Sequence, residues 1–435
     1  MTTRPAGPGA AVEILAIGDE LLLGATVDTN SAWIARRLAA EGIVVVRKTT
    51  VGDDVALITQ ALDDALRRTG TVLCTGGLGP TPDDLTRHAV AAQYGRRIVV
   101  DEAWVQILRE RHAARGMEMP AINRVQGEHP EGARLLHNAR GTAPGIVVHD
   151  DAIGTTILLP GVPHEMRGLM EDDVVPLLRE RLQPTSRLVS RLLRTAGLSE
   201  ALLAERVADI AAGVTAPLSL AYLPHVTGVD LRVTAPATHE ADAVALQDFL
   251  RQRLAADVYA ADETDLADVV GGMLKERGLT VALAESCTGG LLAKRLTDGA
   301  GASAYLHAGF VTYANDAKRD QLGVPAETLA LHGAVSELCA RQMAEGARQV
   351  ASADVAISIT GVAGPGGGSE EKPVGTVWIA VALPAGTHAR LFRFSGDRGI
   401  VRDRSAQAAL DMLRRRLSDD ADQPGASQRA TPDAG

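Results

Sequence analysis

Ser286 and Cys287 stand side by side in the stretch AESCTGG (284–290), between the apolar run TVALA (280–284) and the amphipathic run LLAKRL (291–296). Both side chains can be nucleophiles. A thiolate is intrinsically reactive, whereas a serine hydroxyl is weak until a base takes its proton. The residues fall where a strand turns into a helix, the end of an open α/β sheet at which ligands bind. A helix starting there aims unpaired N–H groups back at the site, ready to hold an oxyanion or a phosphate. Gly289 and Gly290 permit close approach of the backbone. Two further stretches belong with this one: GFVTYANDAKRDQLG (309–323), where a strand ends at Tyr313 and a helix begins near Asn315, and the glycine-rich loop in SITGVAGPGGGSEEKPVGTVW (358–378). Ordering so much glycine is entropically costly, which makes the loop a poor structural filler.

A second group of reactive side chains lies near the start of the chain. In CTGGLGPTPDDLT (74–86), Gly76, Gly77 and Gly79 follow a buried run, and Asp83, Asp84 and Thr86 stand near the start of a helix. Backbone N–H groups suit an anion here, and adjacent carboxylates can coordinate Mg²⁺ or a similar hard cation bridging phosphates. Taken alone, such a pair of acids more often complements the helix dipole.

The elements that must position these residues alternate between short β-branched runs and helical periodicity, the pattern of α/β architecture. Strands are expected at 12–17, 43–51, 71–77, 146–149 and 155–160, with helices over 30–42 (N-capped by Asn30), 54–69 and 101–115. The reading gives two doubly wound three-layer α/β domains, at 10–172 and 266–418, joined by a small α+β domain at 173–260. ADETD (261–265) reads as a linker, and 419–435, like the first nine residues, as a disordered end. The 435 residues are 46% apolar and 23% charged, with a formal charge of −10. That balance argues against general affinity for nucleic acid. No apolar stretch is long enough to span a bilayer, and no secretory signal opens the chain. Three cysteines, Cys74, Cys287 and Cys339, form no metal or disulfide pattern, which places the protein in a reducing cytoplasm.

SCTGG, GFVTYANDAK, ITGVAGPGGG, PVGTVW and SGDR, in that order, resemble the C-terminal domain of the CinA (competence/damage-inducible protein) family and its stand-alone PncC relatives, nicotinamide-mononucleotide amidohydrolases. The resemblance implies Ser286 as nucleophile and Lys318 as its base, which works only if burial or a neighbouring cation lowers the lysine's pKa. Arg398 or Arg402 would supply that cation and bind the substrate phosphate. Ser303, Tyr313 and Thr360 match supporting polar residues, and the backbone around Gly361, Gly364 and Gly366 would hold phosphate or ribose. Cys287 is given no role, and Glu285 reads as either a carboxylate near Lys318 or a structural acceptor. No cofactor is implied for the amidase.

The N-terminal half resembles the MogA/MoaB molybdopterin-binding fold in its CinA version. Here Leu78 interrupts the loop and Asp83–Asp84 replaces an arginine–aspartate pair. These differences fit metal-dependent hydrolysis of ADP-ribose better than pterin binding. Asp84, Asp53 and Asp83 would hold the metal (Mg, Mn or Co class, with K⁺ as a further cation), and Asp19, Glu20, Asn30 and Glu165 would line the pocket. The middle unit resembles the family's KH-like insert without a GxxG clamp, implying a structural or dimerisation role and a homodimer. The alternatives are an inactive or molybdopterin-adenylylating N-terminal domain, or a competence-linked interaction protein.

Overall fold

In the computed structural model, which describes residues 10–184 and 187–421, the first unit is built on a six-stranded sheet. Its strands are β1 (Ala11–Ile17), β2 (Val44–Val51), β3 (Thr71–Thr75), β4 (Arg134–Leu136), β5 (Gly145–Asp150) and β6 (Gly154–Leu159), in the order β2-β1-β3-β6-β5-β4. The first four in that order run parallel, β5 runs antiparallel to them, and β4, antiparallel to β5, shares their direction. Parallel strands covered on both faces need continuous apolar runs. Accordingly β1, β3 and β6 are buried throughout, including Glu13, whose carboxylate is held by Arg68 at 2.6 and 2.8 Å. Separate apolar clusters lie on the two faces, one around Ile34, Leu38 and Met166, the other around Leu62, Val90 and Tyr94.

The domain ends later than the expected residue 172. The helix Val175–Leu182 continues from a short π-helical turn, and Val174, Val175 and Leu178 complete the first of these cores. Asn30 does not cap its helix: Thr29–Ala40 is capped by Asp28, which accepts from the Ser31 N–H at 2.9 Å.

The small middle module carries β7 (Leu188–Thr195), β8 (Ser219–His225), β9 (Gly228–Pro236) and β10 (Val258–Ala260) in the order β8-β9-β7-β10, with the helix Glu240–Leu254. The stretch 261–265 is anchored rather than slack: Asp265 caps the helix Leu266–Glu276 and accepts from Arg295, and Arg194 donates to the Thr264 carbonyl.

The last domain holds β11 (Val281–Glu285), β12 (Leu306–Val311), β13 (Val355–Gly361), β14 (Thr376–Leu383) and β15 (Gly386–Arg393) in the order β12-β11-β13-β14-β15. The first three are parallel, β14 runs antiparallel to them, and β15, antiparallel to β14, shares their direction. One face is covered by the helices Leu266–Glu276 and Arg398–Ala421, the other by the alanine-rich helix Glu337–Val350. The final helix continues three residues into the segment expected to be disordered; 422–435 and the first nine residues lie outside the described residues. No described helix is long and apolar enough to cross a membrane.

Candidate functional site

In the last domain the chain leaves β11 for β12 on one side and reaches β13 on the other, so the carboxyl ends of β11 and β13 bound a crevice at the point where strand order reverses. Ser286 is the residue after β11, pinned by its N–H to the Ile359 carbonyl at 2.9 Å. Lys318, on the helix Asn315–Leu322, is 1% exposed and places Nζ 3.0 Å from Ser286 Oγ, 2.8 Å from the Thr312 carbonyl oxygen and 3.3 Å from that of Tyr313. Burial lowers its pKa. Neither arginine contributes to that shift, so burial takes the part expected of a neighbouring cation.

Glu285, also 1% exposed, has turned away from the lysine. Its carboxylate accepts from the N–H groups of Gly290, Leu292 and Ala293 at 3.0, 3.1 and 2.8 Å. The helix N-terminus expected to face a ligand is thereby occupied from within the protein. The amides left for an oxyanion are those of the turn itself. Among the described residues no other residue accepts from the N–H of Cys287 or Thr288, and the Thr288 and Thr312 hydroxyls are buried without a partner. Gly289 and Gly290 have φ of 57° and 93°, the left-handed conformations this turn requires.

Arg402 donates to the Thr288 carbonyl at 2.7 Å, bracing that turn, while Arg398 donates to the Tyr313 hydroxyl at 2.6 Å and to the Gly364 carbonyl at 2.7 Å. Arg398 thus spans the mouth, with exposed Tyr313 on one side and the glycine-rich loop on the other. The amides of Gly364, Gly366 and Gly367 have no acceptor among the described residues. Gly361 is needed for close packing, since a Cβ there would lie 2.8 Å from the Thr376 carbonyl oxygen.

Two expected residues do not join this group. The Thr360 hydroxyl is buried and donates to the Ala334 carbonyl at 2.8 Å, tying a neighbouring loop. Ser303 is exposed before β12, whose start pairs with Val281 and whose end pairs with Glu285. It therefore sits at the opposite end of the strands, about 15 Å or more from Ser286 at ~3.3 Å per residue. Cys287 is 5% exposed and packs in the apolar core, and burial pushes its thiol up to about 11.

The first unit repeats the arrangement at the ends of β1 and β3, around a cavity of about 410 Å³. Gly76 has φ 108°, and a Cβ there would meet the Ile17 carbonyl at 2.1 Å. Thr86 supports the loop by donating to the Gly76 carbonyl at 3.0 Å. Asp84 holds the loop from its other side, accepting from Gly79 N–H at 2.6 Å and from the Thr81 N–H and hydroxyl at 2.8 and 2.6 Å. Arg87 was not singled out by sequence because it reads as an ordinary helical arginine. It is 1% exposed and donates to the Leu78 and Gly79 carbonyls, both at 2.8 Å. The amides of Gly77 and Leu78 have no acceptor among the described residues. Asn30 lines the cavity, its Nδ2 fixed by Thr75 Oγ1 and the Gly161 carbonyl at 3.0 and 2.8 Å and its buried Oδ1 unpartnered.

The expected metal set does not converge. Asp53 and Asp19 cap each other's backbone N–H, Asp83 is exposed, Asp84 is occupied by the loop, and no group of three metal-binding side chains occurs among the described residues. Burial, with repulsion from Asp19, Glu20 and Asp83, raises the Asp53 pKa. Glu165 lies outside the cavity, its carboxylate held by Asn138 Nδ2 at 2.6 Å.

Fold and geometry define a three-module α/β protein with a crevice at the switch point of each large sheet, the second containing a buried serine–lysine pair. Three family models match in sequence: one described as a probable molybdopterin binding domain over residues 13–180, the damage-inducible protein CinA KH domain over 190–260, and the CinA C-terminal domain over 263–417. A CinA-like protein of Gemmatimonas aurantiaca is 46% identical over 416 residues, covering 94% of this chain and 97% of its own length. Another, of Geobacter metallireducens, is 46% identical over 408 residues, covering 93% and 98%. The crystal structure of the competence/damage inducible protein CihA from Agrobacterium tumefaciens matches 35% of this chain and 93% of its own at 48% identity and a TM-score of 0.34. The chain belongs to the CinA family.

Proposed function

We propose that the C-terminal domain is an amidohydrolase that converts nicotinamide mononucleotide to nicotinate mononucleotide and ammonia. The observation that carries this reading is the 3.0 Å approach of buried Lys318 Nζ to Ser286 Oγ. A neutral lysine has two N–H bonds and one lone pair. With the N–H bonds directed at the Thr312 and Tyr313 carbonyls, the lone pair is left for the serine proton. Lys318 takes that proton as Oγ attacks the carboxamide carbon, and the Cys287 and Thr288 amides receive the negative charge on oxygen. The lysine ammonium then protonates the departing nitrogen, releasing ammonia and leaving an acyl-serine. Water, deprotonated by the same lysine, attacks the acyl carbon, and the serine regains its proton. Arg398 and the loop amides of Gly364, Gly366 and Gly367 supply donors for a phosphate at the mouth. Incubation with nicotinamide mononucleotide should release ammonia, and Ser286→Ala should abolish release; full activity in that variant would end the proposal.

For the N-terminal domain, the open amides of Gly77 and Leu78 and the unpaired Asn30 Oδ1 favour binding of a nucleotide diphosphate, of which ADP-ribose is the proposed case. The carboxylates around this cavity are taken up by backbone N–H groups and do not assemble a metal site, so the reading for this domain is binding of the diphosphate.

A further inference from the structure

Between the middle module and the last domain, within one structural unit, lies a cavity of about 620 Å³ that neither proposed activity uses. Its floor is the edge strand β15 and the residues just after it. Arg390, Phe392 and Phe394 alternate along the chain and share one face. The two phenyl rings stack with centroids 5.4 Å apart and planes 11° from parallel, and the Arg390 guanidinium lies 4.8 Å from the Phe392 centroid. The final helix forms one wall, and loops at 196–200 and 224–229 of the middle module close the space.

Three features point to a ligand. Gln407 on the wall is 4% exposed, and its Oε1 has no hydrogen-bond partner. A buried amide without a partner is costly, and an aliphatic residue would fill the same place on a helix without that cost. The cavity is also cationic. Arg415 and Asp411 neutralise each other within a network that includes Arg414 and Asp257. Arg390 and Arg404 have no carboxylate partner among the described residues, which leaves two guanidinium groups against Glu200. Finally, Arg404 is pre-positioned. Its Nε donates to the Val226 carbonyl at 2.9 Å and its Nη1 to the Ser395 carbonyl at 3.0 Å.

We infer that this cavity binds a purine nucleoside phosphate. The phenyl pair offers an apolar surface on which a planar base can stack. An amide presents donor and acceptor together and matches the edge of an adenine ring. Guanidinium groups suit phosphate, and the volume lies within the range of about 300–1,000 Å³ typical of small-molecule sites.

The probe is 8-azido-ADP, photolysed with the full-length chain and followed by peptide mapping. Labelling is expected on peptides covering 390–412 or 224–229, blocked by excess ADP, unchanged in Ser286→Ala, and reduced tenfold or more in both Arg390→Glu and Gln407→Leu. Arg390 is exposed, so its charge reversal leaves the fold intact and decides the matter if Gln407→Leu fails to fold. Labelling confined to the first unit or to the SCTGG turn would overturn the inference. So would labelling that Arg390→Glu leaves unchanged, or equal blocking by inorganic pyrophosphate, which would mark an anion site with no base recognition.

Discussion

Replacing Lys318 by methionine tests the amidase mechanism most directly. Methionine keeps nearly the same volume in a site that is 1% exposed, so packing survives and only the amine is removed. Without a base, Ser286 Oγ keeps its proton. General-base catalysis contributes about 10²–10⁴-fold, equivalent to about 2.7–5.4 kcal/mol in the barrier at about 1.36 kcal/mol per decade, and kcat should fall by at least that factor. Stability gives an independent readout. The Thr312 and Tyr313 carbonyls each lose a donor, worth about 1–3 kcal/mol where the carbonyl stays dry, while the variant no longer buries an ionisable amine.

The sign of the pH dependence follows from linkage. Burial lowers the folded-state pKa of Lys318, so between that value and the ordinary lysine value of about 10.4 the unfolded chain holds a proton that the native protein lacks. Wild-type stability therefore gains from this group as pH rises through that window, and Lys318→Met loses the gain. The same titration sets the rate: kcat/KM should rise with pH and level off above the lowered pKa. The assay is ammonia release from nicotinamide mononucleotide at several pH values, alongside denaturant unfolding. A folded Lys318→Met protein within tenfold of the wild-type rate would refute the reasoning.

Cys287→Ala should keep activity within a few fold, and iodoacetamide near neutral pH should leave wild-type ammonia release unchanged over time, because burial pushes the thiol up to about 11. Glu285→Gln removes a carboxylate that holds three helix N–H groups, and should lower the unfolding free energy by about 1.5–3 kcal/mol in a denaturant titration. Asp84→Ala should weaken ADP-ribose binding by the same factor in EDTA as with added Mg²⁺, measured by calorimetry, since Asp84 holds the loop that forms the cavity. A loss seen only with metal would restore Asp84 as a ligand.

What could be read from sequence and what could not divide along a physical line. The expected strand 12–17 appears as Ala11–Ile17, and SCTGG and YANDAK proved to be neighbours in space, because long motifs at strand ends carry their own placement. The direction in which a polar side chain turns after the backbone is placed depends on partners distant in sequence. Glu285 next to a serine gives no sign that its carboxylate will serve the following helix. Arg87 gives none that it will be buried under Leu78 and Gly79. Ser303 went astray for a related reason: a residue before a parallel strand lies at the wrong end of the sheet for a switch-point site, and the start of Leu306–Val311 had to be known before that could be seen.

The two large sheets place a crevice at equivalent points and fill it differently, and the difference accounts for the chemistry proposed for each. Around the first, the side chains include Glu20, Asp53, Asp83 and Asp84 close to open amides. A lysine set among those acids would stay protonated and could not act as a base. Around the second, the one carboxylate adjacent in sequence to the nucleophile is turned onto a helix N-terminus, and no carboxylate contributes to the lowered pKa of Lys318. Had Glu285 faced Lys318, an ion pair would have raised the lysine's proton affinity and left Ser286 without a base. The capping of one helix by Glu285 and the basicity of the lysine are therefore two consequences of a single side-chain orientation.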